Sequence, residues 1–304
     1  MFPASFWFIK TPKVGGTLIS GVFHRITRHR GVIQVGEQKH GAVTEEQVLE
    51  FVNELSPRLG FSYFGIMFHL PWKDLDIGEY LRFTAVRHPM DRALSAMYHR
   101  LCLMNTPGPG CLPEYRVSDL AVESVVEYLE GMSKPGDIMP WMSQVDYALD
   151  NLEHFDQATA DELDFIFVTD RMDESLVAFK ILYGLRWEDV VYKPERETFY
   201  TRYEEMNAAD QRAVKNAMER LPGYAADDEF YRYASDRLDR AISEIDREFP
   251  GGVFAKQLEC FRGLKEEAIQ LFLECPIESE KTISQAWDGQ MRCYDQMMLS
   301  LEES

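Results

Sequence analysis

Two lysines, two glycines and a threonine crowd into the segment Lys10-Thr11-Pro12-Lys13-Val14-Gly15-Gly16-Thr17-Leu18. Residues of these types hold phosphate or sulfate. Glycines let a backbone come close to an anion, and the first N–H groups of a following helix point at it. Lys13 would add a full positive charge and Thr17 a hydroxyl donor. A second set lies in Arg87-His88-Pro89-Met90-Asp91-Arg92-Ala93-Leu94-Ser95. Its forked Arg87 guanidinium is the side chain best shaped for phosphate, and Ser95 is within reach of the same group. Two anion sites suit a ligand with two separated phosphates.

The flanking residues predict the elements that would present these groups. Phe6 to Ile9 is an apolar run that reads as a buried strand, and Leu18, Val22 and Ile26 are spaced as on a helix. The first set therefore sits in a strand–turn–helix unit. It is not the common nucleotide loop, which ends in Gly-Lys-Ser/Thr, because here the lysine precedes the glycines. Tyr80 to Val86 is a second strand, ending on Arg87 and entering a helix after Pro89. Phe61 to Leu70 is apolar on both faces, as a parallel strand covered on both sides must be. Val32–Val35 and Leu163 to Arg171 are further strands, the last followed by a helix over Glu174 to Leu182. Strands alternating with helices predict an α/β fold, a P-loop-like parallel sheet flanked by helices. Ligands bind beyond the carboxyl ends of such strands, where Lys13, His69 and Arg87 all fall. Asn207 to Leu221 and Asp228 to Phe249 read as amphipathic helices. Residues 1–252 are expected to form one domain. Residues 253–304 are expected to be a helical C-terminal extension, packed on that domain or used in a homodimer contact.

Lys13-Val14-Gly15-Gly16-Thr17 resembles the 5′-phosphosulfate loop of the Golgi carbohydrate sulfotransferases. Arg87-His88-Pro89 through Arg92 and Ser95 resembles their 3′-phosphate motif, Arg-x-Pro-x-x-Arg-x-x-Ser. The nearest branches are the heparan sulfate 2-O- and galactose 3-O-sulfotransferases. The two motifs occur in the family's order, about 75 residues apart. Trp141-Met142-Ser143-Gln144 is similar to a Trp-x-x-Gln element that borders the acceptor in several members, though plain packing explains Trp141 as well. The Phe230-Tyr231 helix is similar to the family's Asp-x-x-Phe-Tyr helix. The resemblance implies the sulfotransferase fold, with 3′-phosphoadenosine 5′-phosphosulfate as sulfate donor and no metal. The donor's 5′ end would lie on Lys10, Lys13, Val14, Gly15, Gly16, Thr17 and Leu18. Its 3′-phosphate would lie on Arg87 and Ser95, with Arg202 closing over it and Arg92 bracing the loop.

Sulfuryl transfer needs a base for the acceptor hydroxyl. The heparan-type members carry His-Gly-His where this chain has Phe64-Gly65-Ile66, so both histidines are missing. His69 is the nearest replacement, with Glu37, His40 and Asp74 as alternatives. Catalysis is accordingly expected from Lys13 and His69. The same departure supports a non-catalytic, nucleotide-binding relative as a second reading. A P-loop-type kinase is the third.

Composition narrows the acceptor. The 304 residues are 45% hydrophobic and 27% charged, with a formal net charge of −19 from 51 acidic and 32 basic residues. That balance disfavours nucleic acid and anionic membranes, and a sulfated polysaccharide for the same reason. A neutral sugar, glycolipid or small hydroxylated metabolite fits better. The five cysteines lack metal-site spacing. Cys102 and Cys111 flank a short loop, and either a disulfide or free thiols would fit there. No apolar run is long enough to span a bilayer. The chain is expected to be soluble, either cytoplasmic or a Golgi-lumenal domain without its anchor.

Overall fold

The computed structural model describes residues 6–31, 33–35, 59–63, 80–96, 125–127, 129–130, 143–149, 154–192, 203–221 and 223–274. Glu37, His40, His69, Asp74, Cys102, Cys111, Trp141 and Arg202 lie outside them. In chain order the elements used below are β1 (Phe6–Ile9), α1 (Gly16–His29), β2 (Ile33–Val35), β3 (Leu59–Tyr63) and β4 (Leu81–Val86). Then come α2 (residues 89–96), α3 (Gln144–Leu149), α4 (Gln157–Asp161) and β5 (Phe165–Val168). The chain continues through α5 (Met172–Tyr183), α6 (Trp187–Val190), α7 (Ala208–Met218), α8 (Tyr224–Glu248) and α9 (Val253–Glu274).

The five strands form one parallel sheet in the order β2-β3-β1-β4-β5. Ile9 lies opposite Tyr63 on one side and Thr84 on the other, and Val86 lies opposite Val168. Every residue of β1 and β5 is buried, which is why those strands read as continuous apolar runs rather than alternating ones. Aromatic rings build the face of the sheet under α1 and α5. Phe23 of α1 stacks on Phe6 at 4.7 Å and on Phe83 at 5.4 Å, and meets Phe179 of α5 edge-on at 5.9 Å. Phe179 in turn covers Phe167 at 4.9 Å. The Thr84 hydroxyl donates to the Ile9 carbonyl at 2.9 Å inside this core, tying the last turns of β1 and β4 together.

Arg25, Arg28, His29 and Arg30 give α1 a basic C-terminal end that suits its helix dipole, and Arg25 and His29 also reach a second helix. Arg25, almost fully buried, donates from Nε to the Glu188 carbonyl and from Nη2 to the carbonyls of Asp189 and Val191. His29 Nδ1 lies 2.8 Å from Asp189 Oδ1. Both side chains thus serve α6, whose last carbonyls have no partner within their own helix. Pattern alone places the charges at the end of α1 but does not reveal the second helix beside them.

Two helix starts differ from the sequence expectation. Leu163 to Arg171 was expected to be strand throughout; β5 ends at Val168 and a single 3-10 turn, Thr169–Arg171, leads straight into α5. The helix expected over Asp228 to Phe249 begins at Tyr224, because Gly223 at φ 76° supplies the left-handed break that lets it start there. The shift brings Asp227 into its first turn. Residues 253–274 share the main core through Phe254, Phe261 and Ala268, and Lys265 Nζ meets Asp173 of α5 at 2.6 Å. No helix among the described residues is long and apolar enough to cross a membrane.

Candidate functional site

Parallel pairing puts the carboxyl ends of β1, β4 and β5 side by side, about 4.8 Å apart from strand to strand. Each end opens into a polar turn. The chain leaves β1 toward β2 on one side and leaves β4 toward β5 on the other, so adjacent strands part here, which is where open parallel sheets form their ligand crevice.

The first turn runs from Lys10 to Gly16. Lys13 and Gly15 are left-handed, at φ 67° and 71°, and Val14 between them is not. Such alternation turns successive N–H groups to one side and makes a concavity for an anion. The carbonyls meanwhile are held from outside. Arg92 Nε donates to the Pro12 carbonyl at 3.0 Å, the Thr169 hydroxyl to the Val14 carbonyl at 2.6 Å, and the Ile19 N–H to the Gly15 carbonyl at 3.2 Å. Lys10 is buried, and its stem lies over the start of α1. A Cβ on Gly16 would stand 2.7 Å from Lys10 Cγ, so only glycine leaves room for that lysine. A Cβ on Gly15 would press on Thr169 Cγ2 at 3.3 Å, in a backbone conformation that side chains resist. Val14 is buried, Leu18 packs against the core, and Thr17 lies in the first turn of α1.

The second turn follows β4. The Gln144 side chain clamps the Arg87 peptide, its Oε1 accepting from the Arg87 N–H at 2.7 Å and its Nε2 donating to the Arg87 carbonyl at 2.8 Å. Asp170 accepts from the His88 N–H at 2.8 Å. Its other oxygen stays 3.9 Å from Arg87 Nε, a buried nitrogen with no hydrogen-bond acceptor among the described residues. The His88 ring meets Tyr231 edge-on at 5.3 Å. Burial pushes the Asp91 carboxyl above its ordinary range, against the pull of the Tyr203 N–H and Arg87. Burial and the Asp170 carboxylate push the Tyr231 hydroxyl up to about 12. Ser95 is half-buried on α2, one turn beyond the buried Arg92.

Of the residues singled out by sequence, the structure thus gathers Lys10, Lys13, Val14, Gly15 and Gly16 beside Arg87. Three that hold the turns in shape were not singled out, Thr169, Asp170 and Asp227, and a fourth, Gln144, was read only as bordering the acceptor. Gln144 had a signal in the Trp-x-x-Gln pattern. Thr169-Asp170 had one as a polar pair at the end of an apolar strand. Replacing Thr169 with valine, nearly isosteric, leaves the buried Val14 carbonyl unpaired and is expected to cost about 1–2 kcal/mol. Urea denaturation measures it, and an unchanged midpoint would show that the hydroxyl does not hold the turn.

No family model matches the chain, and no curated protein matches it.

Proposed function

We propose that the chain is a sulfotransferase that moves a sulfuryl group from 3′-phosphoadenosine 5′-phosphosulfate to a hydroxyl of a neutral sugar, glycolipid or small metabolite. The observation that carries this reading is Arg87. Its buried Nε has no hydrogen-bond acceptor among the described residues, at the end of the strand paired with β1 and its glycine turn. A guanidinium fixed through its own backbone by Gln144, with Asp170 no nearer than 3.9 Å to its Nε, is shaped to receive an oxyanion. The adjacent turn offers a second anion site, and the resemblance of both motifs to the carbohydrate sulfotransferases names the ligand.

In this reading the acceptor oxygen attacks sulfur in line. A new O–S bond forms as the bond from sulfur to the bridging phosphate oxygen breaks, and 3′-phosphoadenosine 5′-phosphate leaves. Negative charge grows on that bridging oxygen, as in phosphoryl transfer. Lys13 and the N–H groups opening α1 would stabilise it, while Lys10 holds the start of the helix. Arg87 and Ser95, with Arg202, would hold the 3′-phosphate and so set the register of the donor. His69 would take the acceptor proton, with Glu37, His40 and Asp74 as the alternatives.

Calorimetry with 3′-phosphoadenosine 5′-phosphate, without magnesium, tests the reading. The wild type is expected to bind, and Arg87→Ala to bind roughly 10–100-fold more weakly, as loss of charge-assisted hydrogen bonds implies. Absence of binding to the wild type would sink the sulfotransferase reading. Binding that required magnesium and ATP would favour a kinase instead.

A further inference from the structure

Asp227 is fully buried, in the first turn of α8. Its Oδ1 accepts from the Val145 N–H at 3.0 Å, with the Gln144 N–H and the Ser143 hydroxyl on the same carboxylate. Its Oδ2 lies 3.6 Å from Nη1 of Arg92, itself almost fully buried. Each neighbour leads to one of the two turns. Through Nε, Arg92 grips the Pro12 carbonyl of the first. Gln144, whose backbone the carboxylate anchors, grips the Arg87 peptide of the second with its side chain. One carboxylate therefore stands at the junction of both anion-binding turns.

We propose that Asp227 is a positioning residue that fixes the two turns relative to each other, so that the site accepts two phosphates at a set separation. The proposal rests on reading those turns as the seats of the two ends of one nucleotide. Stability alone is a poor reason for such a pair. Burying a carboxyl and a guanidinium carries a desolvation penalty, and well-packed apolar side chains often do as well. Geometry is a better reason. The Asp227 carboxylate, held by the Val145 N–H and facing Arg92, whose Nε is held by the Pro12 carbonyl, ties α2, α3 and α8 at one point, and a ligand gripped at both ends binds tightly only if its seats are already spaced for it.

Hydrogen exchange on the full chain without ligand tests the coupling directly. Asp227→Asn is expected to speed exchange about tenfold in both residues 13–18 and residues 87–90, while β5 and α5 keep their protection, since local opening need not be global. Faster exchange confined to residues 143–149 and the start of α8, or spread evenly over the sheet, would overturn the proposal. Should that variant fail to fold, Arg92→Lys serves. A lysine cannot hold the Pro12 carbonyl and Asp227 with one fork, so residues 13–18 should loosen and residues 87–90 should not; no change in residues 13–18 would count against the coupling.

Affinity supplies the readout that a merely structural role would not move. Asp227→Asn is expected to weaken 3′-phosphoadenosine 5′-phosphate about tenfold and adenosine 5′-phosphate, with one phosphate, far less. Equal weakening of both would overturn the positioning role. A wild type that binds neither ligand would overturn the nucleotide reading, and the exchange result would still decide whether Asp227 couples the turns.

Discussion

Replacing Lys13 with glycine is expected to cut sulfuryl transfer about 10²–10³-fold, the usual effect of removing one preorganised donor to developing charge, with little change in stability. The two effects separate because Lys13 has a left-handed backbone, at φ 67°. A non-glycine residue there carries about 1–2 kcal/mol of strain. Glycine removes the strain and loses about 0.5–1 kcal/mol through its freer unfolded chain, so the backbone part of the stability should stay level or rise slightly. Lys13→Ala keeps the strain and loses the ammonium; it should match the glycine variant in rate and fall below it in melting temperature. A strained residue is retained at a site when the site needs its side chain. Single-turnover transfer and thermal melts on both variants decide the matter. A glycine variant that transfers at the wild-type rate would show that Lys13 is not the charge that meets the bridging oxygen. One that loses several kcal/mol would show instead that the lysine is there to hold the turn.

The strand, turn and helix around Lys13 are legible in the sequence because the signal is local. Four apolar residues, a glycine pair and a helical repeat lie within a few positions of each other. Arg87 was legible for the same reason, standing where an apolar strand meets a proline. What shapes those turns was not legible, because each contact joins distant parts of the chain. Thr169 reaches Val14 across 155 positions, Asp227 reaches Val145 across 82, and Gln144 reaches Arg87 across 57. Nothing in a strand-and-helix pattern specifies which distant hydroxyl or amide arrives at a given carbonyl; sheet order decides it. Arg25 makes the same point. Its charge near the end of α1 is plain in the sequence, and its three acceptors come from α6 and the residue that caps it. Nor does a lysine announce a positive φ, which glycine or asparagine would have suggested.

Between about pH 4 and pH 7 the wild type is expected to lose stability, relative to Asp227→Asn, as the pH rises. Burial pushes the Asp227 carboxyl up to about 7, with Arg92, the Val145 and Gln144 N–H groups and the Ser143 hydroxyl pulling the other way. In the unfolded chain the same carboxyl titrates near 3.9. Over the interval between the two values the folded state holds more protons than the unfolded one, so raising the pH favours unfolding. The full interval corresponds to about 4 kcal/mol at 1.36 kcal/mol per unit, an upper figure for a carboxylate with so many donors. Asparagine cannot ionise, so the variant lacks this component. It keeps that of Asp91, whose carboxyl burial also raises and which therefore cancels between the two proteins. Unfolding free energies from urea titrations at pH 5 and pH 7.5 give the comparison. Parallel curves would show that Asp227 does not titrate in this range. A wild type that gained on the variant as the pH rose would show that Arg92 and the N–H groups outweigh burial and keep the carboxylate charged. In that case the junction between the two turns stays an ion pair throughout the neutral range.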